Sequence, residues 1–485
     1  MQVLKNNNLN YLNIVILSII TVLTVFVSTN LYSAQVNTTL AFPTAKGFGK
    51  YATGGVNGTL YRVTTLEDNL EKPQPGSLRY AIVQKHPRTV VFAVSGVIKL
   101  EGELKISHGN ITIAGQSSPG GIAIVGAPVT VSSADNVIIR YMRFRLGTFS
   151  YADDSLTVRN SENVIIDHCS LSWSVDEAAS FYNNHNFTLQ DSIISHSLSH
   201  SIHPKGDHGY GGIWGGANAS FINNIIANHA SRTPRLNGHR LKSPYSQNEE
   251  FVELINNIIF NWGHNNVYGS ENGRFNLINN YYKPGKASKI MQFADIWYSP
   301  EIKENQAYIM GNVLENNPQL TEHNYLGVNY RKAVKAKRTI RDENSQWLSD
   351  QAIITSPMQT TMVYVSAKQA FSDAIKGQHI GASRNAHGYF HDSIDTLVYQ
   401  QLTDSVTIKK NGLIDHEFEL IGNWDAYKQE FTGAPAIVDA NEDGVADDWF
   451  KQHQPQLKNA TTAQVLQQYL NSLSNKESKS FDDLK

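Results

Sequence analysis

Three groups of charged residues follow one another through the middle of this 485-residue chain. The first is acidic: Asp153 and Asp154 in Ala-Asp-Asp-Ser-Leu, then Asp176 and Glu177 in Trp-Ser-Val-Asp-Glu. Carboxylates gathered without thiolates or a regular histidine pairing suit a hard cation, Ca2+ above all. The second is the run 195–208, which holds His196, His200, His203, Lys205 and His208. His196 and His200 stand four apart, a zinc-pair spacing on a helix, but this run reads as strand and turn, where the spacing loses that meaning. Contact with a substrate or structural hydrogen bonding is the expected role, with His203, Lys205 and His208 as the substrate-binding candidates. The third group, Ser231-Arg-Thr-Pro-Arg-Leu-Asn-Gly-His-Arg240, sets Arg232, Arg235 and Arg240 around a rigid proline. Guanidinium groups grip carboxylates by planar two-point contacts, so this segment is a local site for an anion.

These groups act together only if the chain stacks them. Asp154 and Asp176 are 22 residues apart, and the surrounding sequence repeats on a similar scale. Short β-rich segments begin at Asn136, Asn163, Asn186 and Asn218, separated by 27, 23 and 32 residues, and continue in Phe251-Val-Glu-Leu-Ile255, Arg274-Phe-Asn-Leu-Ile278 and Ala307-Tyr-Ile-Met310. A period in the twenties, stretched by insertions on one face, marks a β-solenoid. Asn224, Asn257, Asn280 and Asn312 each follow such a segment, which predicts a ladder of amide hydrogen bonds from coil to coil. No long amphipathic pattern interrupts 90–312, so an α/β fold with crossover helices is excluded, and a β-sandwich does not explain the period. The expected architecture is an all-β solenoid over 41–320 with long loops. A mixed extension over 321–452 follows, then a terminal helix and polar tail over 453–485. Helices are predicted at 366–375, 392–402 and 459–473.

The net charge of −2 argues against a nucleic-acid partner recruited by overall basicity. Lys5, an apolar run over 14–27 and the small residues Ser33 and Ala34 predict a cleaved signal peptide over 1–34, with an uncleaved anchor as the alternative. The run is short for a membrane span. A secreted or periplasmic monomer without a stable span is the expectation. Cys169 is the only cysteine, so no internal disulfide is possible, and it reads as a small buried hydrophobe.

A cation on the carboxylates beside a bank of arginine and lysine describes a cleft for a uronic acid polymer. A metal on the sugar carboxylate acidifies the neighbouring C5 proton; a base then removes it, and the C4–O4 bond breaks to leave an unsaturated sugar.

At these residues the sequence resembles the pectate lyases of polysaccharide lyase family 1. The resemblance runs over about 41–452 and is carried by Pro75-Gly-Ser-Leu-Arg-Tyr-Ala81, Val91-Phe-Ala-Val-Ser-Gly96, Ile111-Thr-Ile-Ala-Gly-Gln116, Ile165-Ile-Asp-His168 and Arg232-Thr-Pro-Arg235. The acidic segment Asp439-Ala-Asn-Glu-Asp-Gly-Val-Ala-Asp-Asp-Trp449 is similar to the end of many bacterial secreted members. The resemblance implies a right-handed parallel β-helix, Ca2+ and polygalacturonate. It also implies that Arg232 is the base, that Lys205 binds a substrate carboxylate, and that Asp154 and Asp176 are calcium ligands with Asp153 close by. The family's second arginine falls on Asn237, leaving Arg235 or Arg240 to substitute, and a usual acidic ligand falls on Ser172, leaving Glu177 to take over.

A guanidinium is a difficult base because it normally stays protonated, so His203, His208 and Lys205 remain rivals to Arg232. Asp167-His168 invites reading as a dyad, but strand alternation would point the two apart, which favours a structural role. The segment 439–448 has the alternating carboxylates of a calcium loop without the terminal glutamate of an EF-hand. Two other functions stay open: a β-helix hydrolase using Asp153, Asp154 and Asp176 as acid and base, and a non-catalytic glycan binder using Trp173, Trp214 and Trp262 as stacking platforms.

Overall fold

Strands of three to six residues with apolar side chains at alternate positions cannot bury an apolar face alone; stacked coil on coil they can. A computed structural model describes residues 39–240, 243–298, 306–332, 348–355, 364–407 and 410–475. The expected signal peptide and the tail beyond 475 lie outside the described residues. Among the described residues, three parallel sheets of ten, nine and nine strands stack side by side, and successive coils contribute a strand to each. Val137–Arg140, Arg143–Arg145 and Leu156–Arg159 make one coil; Glu162–Asp167, Ser170–Ser172 and Ala179–Tyr182 make the next. This is a right-handed parallel β-helix, the solenoid that the repeat predicts and the hand that the resemblance implies. Inward-facing Ile139, Ile166, Leu189, Phe221, Leu254 and Leu277 of the first sheet stack in register, and none of them is exposed. Each such side chain contributes roughly 1.5–3 kcal/mol of burial.

From residue 141 on, the corner between the first and second sheets takes two residues per coil. Its first position is left-handed, with φ 57° at Asn223, 55° at Asn256 and 53° at Asn279, a conformation asparagine accepts at little cost. Its second position is the ladder. The side-chain amide of Asn224 donates to Asn257 Oδ1 at 3.0 Å, Asn257 to Asn280 at 2.9 Å, Asn280 to Asn312 at 2.9 Å, and Asn312 to Asn324 at 3.0 Å. Ser192 and Cys169 continue the stack in earlier coils, as the Cys169 N–H donates to Ser192 Oγ and the Ser192 N–H to Asn224 Oδ1. Burial pushes the Cys169 thiol up to about 12, which leaves it inert.

The solenoid runs past 320, because Val328–Lys332 pairs with Ala294–Tyr298 as the last strand of the third sheet. The extension then folds back over the outer face of the second sheet. Ala367–Gly377 starts at Ser366, and Ser393–Leu402 starts at Asp392, each cap side chain accepting an N–H of the first turn. Ala374, Val398, Tyr399 and Leu402 cover Ile193, Ile225 and Ile258. A fully buried ion group, Arg145 with Asp392 and Asp395 at 2.8 Å each, ties sheet to extension. The last helix, Thr462–Asn475, packs Val465, Tyr469 and Leu473 on Val91 and Ala114 of the first sheet. In the acidic segment, Asp439 accepts the N–H groups of Asp443 and Gly444, and Arg62 pairs with Asp439 and Glu442.

Candidate active site

The other corner, between the second and third sheets, holds the loops 146–155, 173–178, 196–212 and 228–234, which carry the acidic group, the histidine and lysine run and Arg232; Arg235 lies in the next strand and Arg240 beyond it. Backbone bonds stitch the loops in register. Asp153 O accepts from Val175 and Asp176, Asp176 O accepts from Tyr210, and Ser231 O accepts from Gly211. A side chain at Gly211 would collide with the Arg232 carbonyl and one at Gly212 with the Ala179 carbonyl, which explains two consecutive glycines where the loops close on each other.

Asp154 lies over the outer face of the third sheet, accepting from Thr157 Oγ1 at 2.9 Å and from the Glu177 N–H at 3.0 Å. Burial, with the Asp176 charge next, pushes its carboxyl up to about 8. Asp154, Asp176 and Glu177 each bring an oxygen within 4.8 Å of the others. Among the described residues, Asp176 Oδ1 is buried without a hydrogen bond, with His208 Nε2 3.7 Å away. Three converging carboxylates, one raised chiefly by its burial and one with an oxygen lacking a hydrogen bond, fit a hard divalent cation, which would supply the missing partner and draw the proton off Asp154. Asp153 is exposed and outside this group; its side chain accepts the Asp154 N–H and its carbonyl clamps the next loop.

Arg232 reaches back across two coils. Its guanidinium pairs with Glu177 and lies 4.3 Å from the Tyr210 ring centre, and its own φ is 58°, an uncommon conformation for a residue with a side chain. His203 and His208 stack at 3.4 Å, and the Nε2 of each stands 3.7 Å from an Asp176 oxygen. Burial and the neighbouring His208 lower His203 below the ordinary histidine range. Lys205 is exposed at the loop tip. Arg235 is paired with Glu271 and lies beside the rings of Tyr268 and Trp297, at 5.1 and 4.9 Å. Arg240 is half-buried, and burial and Arg235 lower its pKa.

Other residues singled out above go elsewhere. His196 is buried against Asn228, whereas His200 is exposed between Asp207 and Asp415, so the two share no partner. Asn237 is buried, its amide donating to the carbonyls of Gly238 and Arg240. Ser172 faces Arg145 and Ser195 in the second sheet. Asp167 and His168 do not diverge: His168 sits at the corner with φ 49°, which turns its Nδ1 to within 2.8 Å of Asp167 Oδ1. Asp167 also binds Arg140 at 2.7 Å, away from the carboxylate cluster. Trp173, Trp214 and Trp262 are buried in the packed interior and offer no stacking platform. Tyr210, Glu271, Tyr268 and Trp297 belong to the site or its margin and were not singled out; only their places in the coil register connect them to the arginines.

No protein-family model matches the chain. It is similar to a probable pectate lyase C of Aspergillus fumigatus, 31% identical over 439 residues covering 88% of this chain and 90% of that protein. A probable pectate lyase C of Emericella nidulans is 37% identical over 260 residues, 52% of this chain and 55% of that protein. Among solved structures, jun a 1, the major allergen from cedar pollen, aligns at 18% identity and a TM-score of 0.48 over 68% of this chain and 90% of that one. A pectate lyase from a Bacillus species in complex with trigalacturonate aligns at 16% and 0.42, over 68% and 96%. On the sequence likeness over nearly its whole length, the chain belongs to the pectate lyases.

Proposed function

We propose that this protein is a secreted or periplasmic monomer that cleaves polygalacturonate by Ca2+-assisted β-elimination. The observation that supports this best is the convergence of Asp154, Asp176 and Glu177 beside Arg232, with the buried Asp176 Oδ1 lacking a hydrogen bond among the described residues. Asp154, Asp176 and Glu177 would hold the cation, which when bound draws in the substrate carboxylate and acidifies the proton beside it. Lys205, Arg235 and Arg240 line the direction in which further carboxylates of the polymer would lie.

Arg232 is assigned the proton at C5. Glu177 pairs with the guanidinium and sets its orientation beside the carboxylate cluster. His203 and His208 are the rival bases, standing on the same side of Asp176. Tyr210 positions Arg232 through its ring face.

A hydrolytic reading draws on one specific observation: Asp154 is held neutral beside Asp176, as in an acid–base carboxylate pair. Mass spectrometry of products from polygalacturonate separates the two. Elimination yields one unsaturated end and takes up no water; oligomers that have each gained a water overturn the lyase assignment.

A further inference from the structure

The loop that carries Lys205 and the two stacked histidines leans on the extension. Leu198 forms a parallel bridge with Ile414, the Ser199 N–H donates to Ile414 O at 2.7 Å, and Leu198 and Ile414 are buried in one cluster with Trp173. Ser199 is also the stem of the loop: its carbonyl accepts the His208 N–H at 2.8 Å, and a side chain at Gly209 would strike it. The tip is tied within itself, since His203 Nδ1 accepts the Lys205 N–H at 3.2 Å and the His203 carbonyl accepts that of Gly206 at 3.1 Å. Where this tip stands over Asp176 therefore depends on what holds its base.

One side chain joins tip and extension directly. The backbone N–H and the Nδ1 of His200 both meet Asp415 Oδ1, at 3.1 and 2.9 Å, and its Nε2 stands 3.1 Å from Asp207 Oδ2 in the loop. An imidazole gives a proton to carboxylates on both sides only as the cation. The hydrogen bond with Asp415, then the Asp207 charge, raises His200 above the ordinary histidine range. Lys410 lies 4.0 Å from Asp415 Oδ2, and Glu419 pairs with Lys410 at 3.0 Å and accepts the Asp415 N–H at 2.8 Å. His416 turns away to Thr148 and Glu417. Lysine and glutamate keep their charges where histidine titrates, so His200 is the member of this group that changes.

We infer that His200 is a positioning residue for the substrate: as the imidazolium it clamps the loop between Asp207 and Asp415 and holds Lys205 toward the cleft. The clamp takes its substrate from the lyase reading above and its geometry from the loop contacts alone. It is complete below the histidine range and is lost as pH rises through the raised pKa of His200. Exposed ion pairs contribute little to overall stability, so the consequence is confined to the loop.

The test is KM and kcat on polygalacturonate with calcium for wild type, His200→Gln and Asp207→Asn, at about pH 6 and about pH 9. Hydrogen exchange of the 203–208 amides is followed in the same proteins without substrate. Both substituted side chains are exposed, so the variants should keep the wild-type circular dichroism. At the lower pH each variant should raise KM about three- to fivefold with kcat unchanged, and exchange at 203–208 should quicken. At the higher pH the wild type should match both variants in KM and in exchange. Asp207→Asn is decisive, because removing a negative charge beside a polyanion would by itself lower KM, whereas losing the clamp raises it. A lower or unchanged KM in Asp207→Asn at the lower pH, a KM ratio equal at both pH values, or unaltered exchange overturns the clamp. The expected exchange pattern in a protein that forms no unsaturated product supports the clamp and strikes the lyase reading alone.

Discussion

The two corners of each coil solve different problems. Between the first and second sheets, two residues make the turn and the ladder amides of Asn224, Asn257, Asn280 and Asn312 satisfy one another and the backbone. Between the second and third, long loops bring carboxylates, histidines and arginines together, and Ser174 Oγ, Asp176 Oδ1 and Ser199 Oγ are left buried without hydrogen bonds among the described residues. Unpaired buried polar atoms cost stability and persist where a ligand completes them. The tight corner therefore stabilises the open one, and damage to each should have a separate signature.

The largest effect is expected at the open corner. Arg232→Lys should fold with an unchanged melting temperature and lose about 10²–10⁴-fold in kcat on polygalacturonate; loss of stability with retained kcat would reverse the assignment of the two corners. At the tight corner, Asn257→Ala removes four hydrogen bonds, two accepted from Asn224 and two donated to Phe221 O and Asn280. It should cost about 3 kcal/mol in urea unfolding, with kcat of the folded fraction unchanged. A pH series sharpens the contrast. The Asp154 carboxyl is raised to about 8, so the folded state keeps a proton that the unfolded chain releases near 4. Without metal, stability should fall as pH rises between those values, and Ca2+ should restore more melting temperature at pH 8 than at pH 6. The smallest effect belongs to exposed Lys205: Lys205→Ala should raise KM by a factor of about five with kcat unchanged, and added salt should shrink the difference.

The tight corner was legible because its residue type repeats in one local context, and the ladder needs only that periodicity. The helix starts at Ser366 and Asp392 were legible for the same local reason. The gathering of Asp154, Asp176 and Glu177 followed from a separation of one coil. The Glu177–Arg232 pair did not, because loops of unequal length decide which side chains meet, and Tyr210 joins them through backbone bridges between those loops and through its ring against Arg232. Strand alternation failed at His168 because the strand ends one residue earlier, and a histidine gives no local sign that it will take a positive φ.

The most direct measurement is ultraviolet absorbance during incubation with polygalacturonate, for wild type and Arg232→Lys, each with calcium and with chelator. Calcium-dependent growth of an unsaturated-product band in the wild type, absent in Arg232→Lys, is the predicted result. A band that grows equally in Arg232→Lys, or new reducing ends without any band, would contradict the account.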